Sequence, residues 1–163
     1  MTEEIVAYEP IGVIQSPFDS PEGMPVQPIG ASDAVGTVEV DDAYADGLMD
    51  LEGFSHCILL YHFHRAGDDV SMQVEPFLDE TDRGLFSTRA PQRPNRIGLS
   101  VVQIDSVDGR EVNVRGIDVV DGTPLVDLKP FVPDFDVPDD ADTGWMDAST
   151  STVRSKRADD RFC

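Results

Sequence analysis

The sequence predicts a mainly β protein, a small β-barrel of short strands with a helical insertion and no Rossmann-type layout. Three observations carry this. Apolar residues come as short runs, or alternate with polar ones at strand spacing, along the first 120 residues. Asp-Gly pairs at 108–109 and 121–122 punctuate those runs as hairpin turns do. No strand–helix–strand rhythm runs along the chain, as a doubly wound sheet would require.

Taken in order, Ile5–Tyr8 and Ile11–Ile14 flank Pro10, which permits an edge or bulged strand. Val35–Val40 alternates as a half-buried strand does. Asp41 and Asp42 can cap a helix in which Tyr44, Leu48 and Leu51 stand at i, i+4 and i+7, with Gly53 to stop it. Cys57–Phe63 is an apolar run between Gly53 and Gly67, a buried strand. Leu99–Ile104 and Val112–Val114 form a hairpin about Asp108-Gly109, and Ile117–Val120 follows as a further strand. Phe131–Asp142, rich in Pro and Asp, reads as an extended surface connection. Residues 1–145 form one barrel domain, and 146–163 a weakly ordered tail.

Composition bounds the function. With 163 residues and 40% hydrophobic content the chain can build one core. No apolar run approaches the roughly 18 residues of a membrane span. The acidic start, Met1-Thr-Glu-Glu, lacks the basic n-region of a secretory signal, which favours a cytoplasmic protein. Two cysteines, Cys57 in an apolar run and Cys163 at the end, fit a reducing compartment.

The net charge of −20 argues against nucleic acid at first sight. Yet 23 of the 32 acids are Asp and only two of the 12 bases are Lys, a surface suited to molar salt. There the Debye length is about 3 Å and like charges barely repel. A salt-adapted protein is the reading this favours; an acidic binder of cations or basic partners competes with it. Residues 1–64 hold no Lys or Arg, whereas Arg83, Arg89, Arg93 and Arg96 fall in a window with no acid after Asp82.

Four segments can carry chemistry. Ser16–Pro28 has four prolines in thirteen residues and is either a linker or a rigid loop offering backbone groups and the Gln27 amide to a planar ligand. His62 and His64 share a face if extended, as a metal pair does, but no set of further ligands completes a site, and no metal is required. Gly84–Ser100 holds Arg89, Arg93, Asn95 and Arg96 in an irregular backbone suited to carboxylate or phosphate. Asp118–Pro130 contains Asp121-Gly122 as a turn and sets Asp127 and Lys129 on one face, where they can pair. The dinucleotide, P-loop, α/β-hydrolase and zinc-ribbon signatures are missing.

Together these segments resemble the TsaA-like, or TrmO, family. The blocks run in order over residues 8 to about 133: Pro10-Ile-Gly-Val-Ile-Gln-Ser-Pro, Pro25-Val-Gln-Pro, Leu51-Glu-Gly-Phe-Ser-His, Phe63-His-Arg, Thr88-Arg-Ala-Pro-Gln-Arg-Pro-Asn-Arg-Ile-Gly-Leu-Ser and Asp121-Gly-Thr-Pro-Leu-Val-Asp-Leu-Lys-Pro-Phe. The resemblance implies a non-Rossmann barrel that binds S-adenosylmethionine and methylates N6 of threonylcarbamoyladenosine at position 37 of tRNA. It implies cofactor contacts from Pro25, Val26, Gln27, His64, Arg65, Arg89, Leu99, Asp118, Val119, Val120 and Asp121, and a homodimer with sites near the interface. Val26 stands where many members have a basic residue, Arg96 where proline is common, and Phe131 where tyrosine is frequent.

Methyl transfer to a nitrogen needs a group to take its proton. Asp118, Asp121 and Asp127 are the candidate carboxylates and His64 the other candidate base. Arg89, Arg93, Asn95, Arg96 and Lys129 are candidates to meet tRNA phosphates or the threonyl carboxylate. A barrel that binds a nucleotide or metal without catalysis, or a methyltransferase with another substrate, are the alternatives.

Overall fold

The computed structural model describes residues 3–22, 33–76 and 80–146. Six antiparallel strands close into a barrel: β1 (Gly12–Gln15), β2 (Val35–Val40), β3 (His56–His62), β6 (Ile97–Asp108), β7 (Glu111–Arg115) and β8 (Thr123–Pro130). Around the barrel the order is β1-β2-β7-β6-β3-β8, with β8 pairing back onto β1. A separate ribbon joins β4 (Gln73–Val74) to β5 (Arg83–Gly84).

Alternation sends one side chain in two inward. Ile14, Val38, Leu59, Val102, Val112, Val114 and Leu125 fill the interior, and Cys57 sits among them as a small core residue. Burial pushes its thiol up to about 12, so it stays protonated and inert. The long strand β6 shifts register between Ile104 and Ser106, which lets it pair with β3 along one half and β7 along the other. Its hairpin to β7 turns at Gly109, whose φ of +60° glycine adopts without strain.

Four expectations change. The segment predicted as a helix forms two 3₁₀ turns, Asp42–Leu48 and Leu51–Gly53, separated by Asp50 at φ +68°. Leu48 and Leu51 are buried against the barrel, as their spacing foretold, while Tyr44 stays exposed. Ile117–Val120 is not a strand. Ile117 and Val119 enter the core, while the amides of Gly116 and Ile117 bond to the Ala34 carbonyl and that of Asp121 to Phe18. Ile5–Tyr8 forms no strand either, and the chain past Phe131 includes a one-turn helix, α1 (Pro133–Asp136).

Candidate active site

Two polar residues lie inside the barrel where apolar ones would suffice. Tyr61 of β3 and Ser100 of β6 are both buried, with their oxygens 2.8 Å apart. Ser100 Oγ in turn donates to Asp118 Oδ1 at 2.6 Å. A serine hydroxyl carries one proton, so with Asp118 ionised the Tyr61 hydroxyl must donate to Ser100. The protons are thus aligned toward the carboxylate.

Gly98 makes room for this arrangement. A Cβ there would strike the Tyr61 ring and lie 2.8 Å from Phe63. The two rings meet edge to face, with centroids 5.4 Å apart, and this fixes the tyrosine.

Burial pushes the Asp118 carboxyl up from 3.8 to about 7, while the Ser100 bond and the charge of Arg89 pull against that rise. Burial, and then the charge of Asp118, hold the Tyr61 hydroxyl well above its usual range, so it remains a donor. A carboxylate poised near neutrality can take and release a proton under ordinary conditions.

Loops converge around this group. Asp121 Oδ1 accepts the Ser16 amide at 2.9 Å, Ser16 Oγ donates to the Val119 carbonyl at 2.6 Å, and the Asp121 amide reaches the Phe18 carbonyl. Arg65 donates to the Asp19 carbonyl at 3.3 Å. Arg96 pairs with Asp68 at 2.7 Å and reaches the Ala66 carbonyl, while its own carbonyl accepts the Phe63 amide. The loops at 16–19, 63–68, 95–97 and 117–121 are therefore laced together, and Arg89 projects its charge onto Asp118 from the adjoining segment.

The sequence-predicted residues divide accordingly. Asp118 and Arg89 share one electrostatic environment, and His64 and Arg65 belong to the same set of loops. The strand ends at His62, and the His64 amide turns back to the His62 carbonyl, so the two imidazoles are not aligned as strand neighbours. Desolvation, and then the charges of Arg65 and His62, hold the His64 imidazole below its usual range. Among the described residues no cluster of three or more His, Cys, Asp or Glu side chains could hold a metal ion.

Asp121 braces the Ser16 loop. Val119 and Val120 are buried, and their carbonyls are held within the chain, that of Val119 by the Ser16 hydroxyl and that of Val120 by the Thr123 amide and hydroxyl. Arg93 donates to the carbonyls of Thr88 and Ala90, and Asn95 accepts the Ile97 amide at its carbonyl.

Leu99 and Asp127 flank Leu60 in the register, and this row faces away from the core. Asp127 pairs with Lys129 at 3.0 Å, as their alternation predicted. Pro25, Val26 and Gln27 lie outside the described residues. Sequence reasoning missed Tyr61 and Ser100. Their signal is a hydroxyl at an inward position of a strand whose other inward residues are apolar or glycine.

A closed barrel with an aligned hydroxyl–carboxylate chain inside and an arginine-rich loop beside it defines a compact ligand-binding domain equipped for proton transfer. The chain belongs to the tRNA-methyltransferase O N-terminal domain family, whose profile matches residues 13–137. It is 46% identical over 158 residues to a Pyrococcus abyssi protein named "Probable S-adenosyl-L-methionine-binding protein", covering 97% of this chain and 85% of that one. It is 38% identical over 136 residues to a tRNA (adenine(37)-N6)-methyltransferase of Mus musculus, covering 80% of this chain and 32% of that enzyme. The crystal structure of TrmO from Pseudomonas aeruginosa superposes with a TM-score of 0.73 at 37% identity, covering 87% of this chain and 63% of that one. The chain thus spans about a third of the mouse enzyme and under two thirds of the bacterial structure.

Proposed function

We propose that this protein is an S-adenosylmethionine-dependent methyltransferase acting on N6 of the threonylcarbamoyladenosine at position 37 of tRNA. The Tyr61–Ser100–Asp118 chain beside Arg89 is the observation that carries the reading. The residues present suit the cofactor: a carboxylate to face a sulfonium, and the Arg65 and Arg89 guanidiniums for its carboxylate. S-adenosylmethionine, when bound beside these residues, would supply a methyl group on positively charged sulfur, with the sulfur keeping the electron pair of the carbon–sulfur bond.

Asp118 takes the proton that N6 loses as its new bond to carbon forms. Ser100 and Tyr61 hold the receiving oxygen in place and favour its ionised form, and Arg89 adds a positive charge nearby. The family membership and the methyltransferase relatives support the reaction class; the threonylcarbamoyl group is our refinement, supported by the arginines that could meet its carboxylate.

The test is methyl transfer from labelled cofactor, in high salt, to tRNA with and without the threonylcarbamoyl group. Label is expected only on the modified tRNA. Equal label on both would overturn the substrate, and none on either would overturn the function.

We further infer a homodimer. Leu99 and Ile97, 44% and 47% exposed, lie on the outer side of β6, and a second copy over this face would bring Leu99 to a shared site. Light scattering should give twice the monomer mass; a monomer at micromolar concentration would refute this. A cytoplasmic, salt-adapted protein fits both the substrate and the Asp-rich surface. No helix among the described residues is long and apolar enough to cross a membrane.

A further inference from the structure

The arginine segment has a shape that its charge alone does not explain. Leu85 and Ala90 are buried together, with Val74 packed against them, and this satellite core anchors the segment outside the barrel. The 3₁₀ turn Leu85–Ser87 buries its leucine and turns the next residue, Phe86, outward at 73% exposure. Arg93, clamped by bonds to the Thr88 and Ala90 carbonyls, sets its guanidinium 5.9 Å from the centre of the Phe86 ring.

A second pair lies next to it. The Trp145 indole N–H donates to the Ser87 carbonyl at 2.7 Å, and Arg83 lies 5.3 Å from the Trp145 ring centre. Trp145 stands beyond the stretch matched by the family profile, whereas Arg83, Phe86, Ser87 and Arg93 lie within it.

We propose that Phe86 and Trp145, with Arg83 and Arg93 held against them, form a stacking platform for unpaired bases of the tRNA anticodon loop. The inference rests on the tRNA reading above and names how the substrate is gripped. Unpaired bases are recognised by stacking on aromatic rings and guanidinium planes, whereas paired bases keep their faces hidden. A chain of charge −20 gains little from phosphate attraction, and molar salt weakens that attraction further. Stacking depends far less on charge and survives both conditions. Position 37 lies in a loop, so the reacting base has unpaired neighbours for the platform to hold.

Trp145 is the one tryptophan of the chain, so its fluorescence reports on this corner alone. The experiment titrates the full chain with an anticodon stem-loop RNA, and with the same RNA annealed to its complement. The loop should change the emission saturably and the duplex should not. Phe86→Ala should weaken loop binding by roughly tenfold, from the loss of one stacking contact. Phe86→Leu, which keeps the apolar bulk, should also weaken it. Calorimetric titration with S-adenosylmethionine checks that both variants are folded.

Equal binding of loop and duplex, or unchanged affinity in a folded Phe86→Leu variant, would overturn the platform while leaving the methyltransferase reading intact. A wild-type chain that binds no RNA and transfers no methyl would remove both. Binding of another protein in place of RNA at this corner would likewise overturn the platform.

Discussion

Ser100 and Arg93 both commit their hydrogen-bonding groups to neighbours, and the two commitments serve different ends. Ser100 sits inside the barrel, bonded to both Tyr61 and Asp118, and its bond pulls against the rise that burial gives the Asp118 carboxyl. Arg93 sits outside, on a segment with its own small core, and its bonds fix a guanidinium against an aromatic ring. In the interior, desolvation makes each hydrogen bond count toward a pKa. On the surface water levels such differences, and shape and stacking decide instead. On the proposed function, chemistry falls to the barrel and grip to the loop outside it.

Substitutions can break this division, and the largest effect should come from Asp118→Asn. It should lower kcat by about 100-fold or more, the scale of a lost general base, in single-turnover methylation. Stability should move the other way. Burial raises the Asp118 pKa above its ordinary 3.8, so the stability that its protonated form contributes is fully present below about 4 and lost as pH rises through about 7. At pH 8 thermal unfolding of the Asn variant should therefore come at or above the wild-type temperature. A large drop in melting temperature would show that the carboxylate is structural.

Next in size is Gly98→Ala. The new methyl must displace the Tyr61 and Phe63 rings, which should cost about 1–3 kcal/mol in denaturant unfolding. An unchanged midpoint would show that the rings do not hold the tyrosine in place.

The smallest effects should come from Ser100→Ala and Tyr61→Phe. Removing the hydroxyl that donates to Asp118 disfavours the carboxylate, so the acidic limb of the rate profile should move upward, by about one pH unit. Tyr61→Phe acts through Ser100 and should move it less, and Ser100→Thr should restore the limb. A fall in kcat with no movement of the limb would argue against the relay.

The barrel was legible in the sequence because alternation and Asp-Gly turns are local signals, and Val35–Val40 and the β6–β7 hairpin stand where they predicted. Strand β8 was harder to read, because Pro124 and Pro130 mark a turn or loop when read locally. Only the pairing of Leu125 with both Gly12 and Tyr61 makes it a strand. Ile117–Val120 misled in the opposite way. Its apolar residues do enter the core, but its amides bond to loops, and a sequence shows burial more plainly than pairing.

Arg89 lies within one of the family blocks, and Asp118 is a cofactor contact that the resemblance implies, just ahead of the last block. Tyr61 looked like one more member of an apolar run, and Ser100 like the end of a basic loop. Their meeting depends on the β3–β6 register, a long-range fact that no local pattern contains. Phe86 and Trp145 were hidden for the same reason, being 59 residues apart and joined through Ser87.

The most direct test of the central claim is the pH dependence of single-turnover methyl transfer by the wild-type protein, from pH 5 to 9 in high salt. If Asp118 takes the N6 proton, the rate should rise through a single ionisation at about 7 and then level off, and the Asp118→Asn variant should show no such step. A wild-type rate that stays flat across this range, or a step that persists in the Asn variant, would contradict the assignment of Asp118 as the base.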